Sequence, residues 1–391
     1  MRLRTIAIAV AVVVGIAAVG AGGLLLSFPA DRDVAAVPRP VTADEAARTL
    51  AGLKPPKRAR PLIAIVGANE GSETTDYLIP YGVLKRSGVA DVVSLGAASG
   101  PVKLMPALTI VPDATIVEFD QRYPDGADFV IVPAFHQPNN AVVIPWLKAQ
   151  AAKHATIVGI CEGAWVLANA GLLYAHDGTT IWASIDKLRA EHPSMRYVAD
   201  RRYVVDRGIV TTTGVTASLP ISLALVEAIA GRERAASLAD ELGVPGWSAE
   251  HASAAFRVTR SDILAILPVM LGLRRHETVG IRVAAGIDEV SLAFVADAYA
   301  STQVANVVAL SENLAPVLTA HGMRLVPDGT VAGAKVDLLL DNQVNGKPAT
   351  AFDQAFAEIE NRYGADFASL SRLALEYPES RSTGSARAAR E

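Results

Sequence analysis

From residue 61 onward the chain alternates short apolar runs with stretches of helical periodicity. The runs 62–67, 90–95, 129–133 and 155–160 read as buried strands, because continuous apolar segments of four to eight residues suit a sheet covered on both faces. Helical spacing falls at 75–87, ended by Gly88, then at 142–153, at 164–173, and at 218–230, closed by Gly231. Two further strands, 203–206 and 209–212, are joined by an Arg207-Gly208 turn. Strands separated by helices predict an α/β unit over 61–235, a parallel sheet sandwiched by helices, with its site off the carboxyl ends of the strands.

The pattern partly returns further on. Val89 to Leu95 (VADVVSL) matches Val304 to Leu310 (VANVVAL), and Ile110 to Thr115 (IVPDAT) matches Leu325 to Thr330 (LVPDGT), both in one common register. A shared register implies a repeated unit, so 276–378 reads as a second, truncated α/β copy with strands near 279–284, 304–310 and 336–340 and a last helix over 351–363. In that register Asp76 becomes Ser291 and no cysteine fills the elbow, so this copy should be catalytically silent. Residues 236–275 form a helical connector, in which 263–273 suits a core or inter-domain helix, and 379–391 lack periodicity and read as a disordered tail.

The segment 1–60 differs in kind. An apolar run over 6–26 follows Arg2 and Arg4 and is long enough for a hydrocarbon core of roughly 30 Å, so 1–28 predicts an N-terminal transmembrane helix. That places the protein at the cell membrane as a single-pass protein with the globular part outside the cytoplasm. A cleaved secretory signal is the alternative, though its apolar core is usually about 7 to 15 residues. Residues 29–60, with five prolines and a basic cluster at Lys54, Lys57, Arg58 and Arg60, read as a solvated Pro-rich linker.

Composition narrows the partners. With 391 residues, a net charge of −4, a pI near 6.0 and no basic stripe, nucleic acid is not an expected partner. The single cysteine, Cys161, allows no intrachain disulfide and no cysteine-based metal cluster; neither metal nor cofactor is expected. That cysteine lies in Gly159-Ile160-Cys161-Glu162-Gly163, between a strand and a helix. This is the setting of a nucleophile elbow, which aims a helix N-terminus at the side chain and should make the thiol ionise more readily than a free one.

Several motifs together resemble the ThiJ/PfpI superfamily: Thr75-Asp76-Tyr77-Leu78-Ile79-Pro80 with Lys85-Arg86-Ser87-Gly88, then Val130-Ile131-Val132-Pro133, Ile160-Cys161-Glu162-Gly163, Gly178-Thr179-Thr180 and Thr212-Thr213-Gly214. These are class I glutamine amidotransferase-like proteins that include the parkinsonism-associated deglycase. The segment from Ala164 through Trp182 looks most like the amidase-like domains of AraC-type regulators. The resemblance implies a flavodoxin-like fold, a reactive Cys161, and an acid, Asp76, that keeps its proton and donates to sulfur. A carboxyl beside a thiolate gains by staying protonated.

The departures from the family pattern are specific. Ile181 stands where relatives carry a histidine after two threonines, and Glu162 stands where the proteases carry theirs, so proteolysis is disfavoured. The backbone N–H groups of Ala134 and Glu162 are the candidates for an oxyanion hole, and His136 is the substitute base. His154, His176 and His192 read as surface or packing residues. The candidate set is therefore Cys161, Asp76, Glu162 and His136 for chemistry, and Ala134, Trp165, Trp182, Thr180, Thr213 and Gly214 for binding. Two functions fit it. One is a small-molecule binding or sensing domain; the other is a cysteine-dependent hydrolase, hydratase or glyoxalase-type lyase. The expected partners are a small-molecule ligand, the membrane through the N-terminal helix, and either a second copy or the chain's own repeat as a pseudo-dimer.

Overall fold

The computed structural model describes residues 23, 25–30, 32, 36–341 and 346–378. The first unit is a seven-stranded sheet. Its strands are β1 Leu62–Gly67, β2 Asp91–Gly96, β3 Ala114–Thr115, β4 Phe129–Val132, β5 Thr156–Gly159, β6 Tyr203–Asp206 and β7 Ile209–Thr212, in the spatial order β6-β7-β5-β4-β1-β2-β3. All pairings are parallel except β6 with β7, a hairpin whose Arg207 and Gly208 both take positive φ. The central strands β1, β4 and β5 are buried along their whole length, as continuous apolar runs require.

Helices cover both faces. On one side Trp146 and Leu147 of Val143–Ala152, Leu167 of the elbow helix and Phe119 fill the core against Ala64, Val130 and Ile157. On the other lie α1 Thr74–Ser87, capped by Gly88 in the left-handed region, and Ser218–Ala230, closed by Gly231. The elbow helix stops at Asn169, short of residue 173, because Gly171 turns the chain with φ +75°.

The second unit repeats the element order. The strands Glu277–Arg282, Ala305–Ser311, Gly329–Thr330 and Leu338–Asp341 form a four-stranded parallel sheet. In the register of the repeat, β1 falls on Glu277–Arg282 and β3 on Gly329–Thr330, and α1 falls on the helix Glu289–Ala300. The two helices pack against each other with reciprocal contacts. Thr75 donates to the carboxylate of Asp297, and Gly82, at the position matching Asp297, meets Val290, which matches Thr75. A Cβ on Gly82 would lie 2.8 Å from Val290 Cγ2, so a residue without a side chain permits this approach. One core runs through both units, from Ile63, Tyr77 and Leu225 to Val290, Phe294 and Phe352.

Three readings of the sequence need correction. The expected transmembrane helix over 1–28 is not supported: among the described residues no helix is long and apolar enough to cross a membrane. The run 6–26 lies almost wholly outside those residues; its last residue, Leu26, and Phe28 and Pro29 just after it accept from Arg260 through their carbonyls, at 3.0, 2.8 and 2.9 Å. The segment 36–60 does not behave as a solvated linker. Its helix Ala43–Gly52 begins at an N-cap on Thr42 and ends at a fully buried Leu53, while Arg58 pairs with Asp128 at 2.6 Å and the N–H groups of Lys57 and Arg58 donate to the same carboxylate. The expected core or inter-domain helix over 263–273 ends at Met270, and Leu264, Met270, Leu271 and Leu273 are largely exposed, while the buried side chain of its first turn is Asp262, paired with Arg32.

Candidate functional site

The elbow is a product of close packing. After β5 the chain turns at Cys161, whose φ of +53° is in the left-handed region, and enters the helix Gly163–Asn169. A Cβ at position 163 would sit 2.1 Å from the Val132 carbonyl oxygen, so only glycine lets the helix start so near β4. The Cys161 N–H donates to Thr212 Oγ1 at 3.2 Å, and Thr180 Oγ1 donates to the Cys161 carbonyl at 2.8 Å. A non-glycine residue held at positive φ costs about 1–3 kcal/mol, and these bonds over-determine it.

Three carboxyl groups meet beside this turn. Asp76, in the first turn of α1, is fully buried; its Oδ2 accepts the Ala134 N–H at 3.1 Å, and its Oδ1 accepts from Ser218 Oγ at 3.3 Å. The Asp76 N–H donates to Glu73 at 2.5 Å, and Glu73 in turn is hydrogen-bonded to Asp297 from the second unit. Burial pushes Asp76 up to about 7, Asp297 up to about 6 and Glu73 well above the usual carboxylate range; the charge of Asp297 adds to it at Asp76, and those of Asp297 and Asp76 at Glu73. Such a cluster holds protons to higher pH than isolated carboxylates do.

The cysteine differs from its expected state. It is 4% exposed, its sulfur makes no hydrogen bond among the described residues, and the thiol is pushed well above its ordinary value. Burial is the first cause; the charges of Asp76, Glu162, Glu73 and Glu376 follow. A helix N-terminus favours a thiolate by a modest amount, and desolvation with four surrounding carboxyl groups outweighs it. The oxyanion hole expected at Ala134 is also closed, because that N–H is bonded to Asp76.

The binding residues separate into two cavities. One, of about 260 Å³, is lined by His136, Glu162, Trp165, Ser184 and Lys187; Ser184 donates to Glu162, and Lys187 Nζ lies 5.3 Å from the centre of the Trp165 ring. The other, of about 380 Å³, takes in Thr180, Trp182 and Thr213, with Glu376 and His251. Trp165 and Trp182, expected around one pocket, therefore stand on opposite sides of the turn, and Gly214 serves through its N–H, which donates to Glu376. Among the described residues no group of three or more His, Cys, Asp or Glu side chains is arranged to hold a metal.

Sequence reasoning missed Glu73, Asp297, Ser218 and Glu376. Glu73 carried a signal, an acceptor three residues before the N–H it caps. Asp297 and Glu376 carried none, since each reaches the site from a distant part of the chain.

A model of the DJ-1/PfpI family matches residues 62–228. The Parkinson disease protein 7 homolog of Danio rerio is 29% identical over 132 residues, covering 32% of this chain and 69% of that relative. Among solved structures, Drosophila melanogaster DJ-1beta is similar at 25% identity with a TM-score of 0.43, over 47% of this chain and 98% of that one. Oxidised DJ-1 of Toxoplasma gondii is similar at 23% identity and a TM-score of 0.42, over 47% and 99%. The likeness to the DJ-1/PfpI family covers residues 62–228, less than half of this chain.

Proposed function

We propose that the family domain is a small-molecule binding or sensing domain built around a neutral Cys161, and that the second unit is its silent internal partner, covering the face where α1 would meet another copy. One observation carries this reading: the thiol is buried among carboxyl groups that oppose its ionisation, while the Ala134 N–H expected to serve an oxyanion is already bonded to Asp76. A nucleophile needs the thiolate, and a binding group does not. The cavity of His136, Glu162 and Trp165 adjoins the turn and offers a largely polar lining with aromatic surface from Phe135 and Trp165, suited to a polar small ligand. The internal-partner reading is supported by the reciprocal contacts Thr75 with Asp297 and Gly82 with Val290, the signature of an isologous interface.

The second reading, a cysteine-dependent hydrolase, hydratase or lyase using Cys161 and Asp76, draws on the strained elbow alone. Iodoacetamide distinguishes the two on the full chain near neutral pH. Alkylation of Cys161 slower than that of a free thiol, and faster in Asp76→Asn, supports the binding domain. Alkylation much faster than a free thiol, and abolished by Asp76→Asn, supports the enzyme.

A further inference from the structure

We propose that the C-terminal turn builds a second ligand site on the Thr180–Trp182 side of the elbow, with Glu376 as its polar anchor and a small neutral amide-like molecule as its ligand. The site stands apart from the cysteine cavity and does not rest on the function proposed above.

Glu376 follows the helix Ala365–Ala374 in a left-handed conformation, φ +55°, and is 2% exposed. A buried carboxyl group at a strained backbone position is costly, and its surroundings hold this one in place. Thr216 Oγ1 donates to its carbonyl at 2.8 Å, the Trp182 N–H donates to Oε1 at 3.0 Å, and the Gly214 N–H donates to Oε2. These donors lie just beyond Ile181 and just beyond β7, so residues of the family domain grip a side chain from the chain's far end. A structural clamp needs no cavity, yet Glu376 lines one, together with Trp182, Tyr197, His251 and Phe256.

The cavity's chemistry selects its occupant. A carboxylate offers about four acceptor positions, and three are taken, by the Trp182 and Gly214 N–H groups and the Thr213 side chain. His251 Nε2 stands 3.8 Å from Glu376 Oε1, beyond hydrogen-bond reach, with its ring stacked parallel on Phe256 at 5.1 Å. Burial and then Arg202 push His251 down to about 4, so its ring is neutral; burial lifts Glu376 to about 7. The cavity thus keeps one acceptor position on Glu376 beside the aromatic side chains of Trp182, Tyr197 and Phe256. The charge of Arg202 offsets part of the effect of burial on Glu376, and Arg257 and Asp186 both line the cavity. A cation would meet Arg257 and an anion Asp186 and Glu376, whereas a neutral planar N–H donor meets no like charge.

Acetamide is the probe, read by the backbone amide resonances of Trp182 and Gly214 in the full chain. Saturable shifts are expected at both, with methylammonium and acetate at the same concentrations weaker by at least tenfold, and with Glu376→Gln weakening acetamide by about tenfold. Cys161→Ala should leave the acetamide response in place. Shifts that rise linearly without saturation, charged probes that bind as well, or an unchanged response in a folded Glu376→Gln overturn the site. Loss of the response in Cys161→Ala overturns its independence. If Glu376→Gln does not fold, the ranking of the three probes on the wild type decides alone.

Discussion

The two α/β units of this chain share a skeleton and differ in chemistry. In the register of the repeat their first strands, first helices and short third strands coincide, yet Asp76 faces Ser291 in that alignment, Gly82 faces Asp297, and the second unit ends its sheet after four strands without an elbow. Apolar periodicity is enough to rebuild the scaffold, because many residues specify it together. A site is lost with one or two substitutions, because each of its groups acts alone. The second unit nonetheless contributes to the first: Asp297 joins the carboxyl cluster, and Phe352 and Phe294 extend its core.

The sharpest way to break this contrast is to ask whether the units unfold separately. Phe352 is 1% exposed and meets Phe294 edge-on at 4.1 Å. Phe352→Ala should cost about 3–5 kcal/mol. Because one core spans both units, urea unfolding followed by far-UV dichroism and tryptophan fluorescence should show a single shared transition. All four tryptophans lie outside the second unit, so a fluorescence change that lags the dichroism would show it to be a separate domain.

A second measurement contrasts Asp76 with Ser291. Folding raises the Asp76 carboxyl from its ordinary value near 3.8 to about 7, so between those limits the folded chain binds more protons than the unfolded one. The stabilisation is complete below the unfolded value and is lost as pH rises through the folded one. Wild type should therefore lose stability relative to Asp76→Asn as pH rises across that window, while Ser291→Asn shows no such pH-dependent difference from wild type. A parallel profile for wild type and Asp76→Asn would mean that this carboxyl is not held protonated.

Smaller effects sharpen the interface. Gly82→Val places atoms against Val290 and Glu289 and should destabilise by about 1–3 kcal/mol, read as a lower melting temperature. Ser291→Ala removes one hydrogen bond to Asp288, at 3.0 Å, and should cost about 1 kcal/mol or less while leaving the alkylation rate of Cys161 unchanged. A changed rate would give the second unit a direct part in the site.

Legibility follows the range of the interactions. Strands such as Leu62–Gly67 and Phe129–Val132, and the helix Ala351–Tyr363, are readable because each is set by its own apolar spacing and end signals. The elbow is readable because Gly159, Cys161 and Gly163 are close neighbours along the chain. The ionisation of Cys161 is not, for the opposite reason: a local feature, the helix N-terminus, is visible, whereas burial and the charges of Asp76, Glu73 and Glu376 come from elsewhere in the chain. Segment 36–60 misleads because proline and basic residues describe an isolated peptide, and the Asp128 that receives Lys57 and Arg58 is remote in sequence.

By itself the sequence determined the alternating α/β order and the place of the cysteine at a sharp turn, which depend on residues close together in the chain, and the presence of a repeat, which shows as the same local pattern written twice. Tertiary structure alone decided that Asp76, Glu73 and Asp297 share one buried volume, that the candidate binding residues divide between two cavities, and that Glu376 enters one of them. The reason is physical: hydrogen-bonding partners and desolvation are set by whatever surface is folded against a group, and that surface is supplied here by residues far away along the chain.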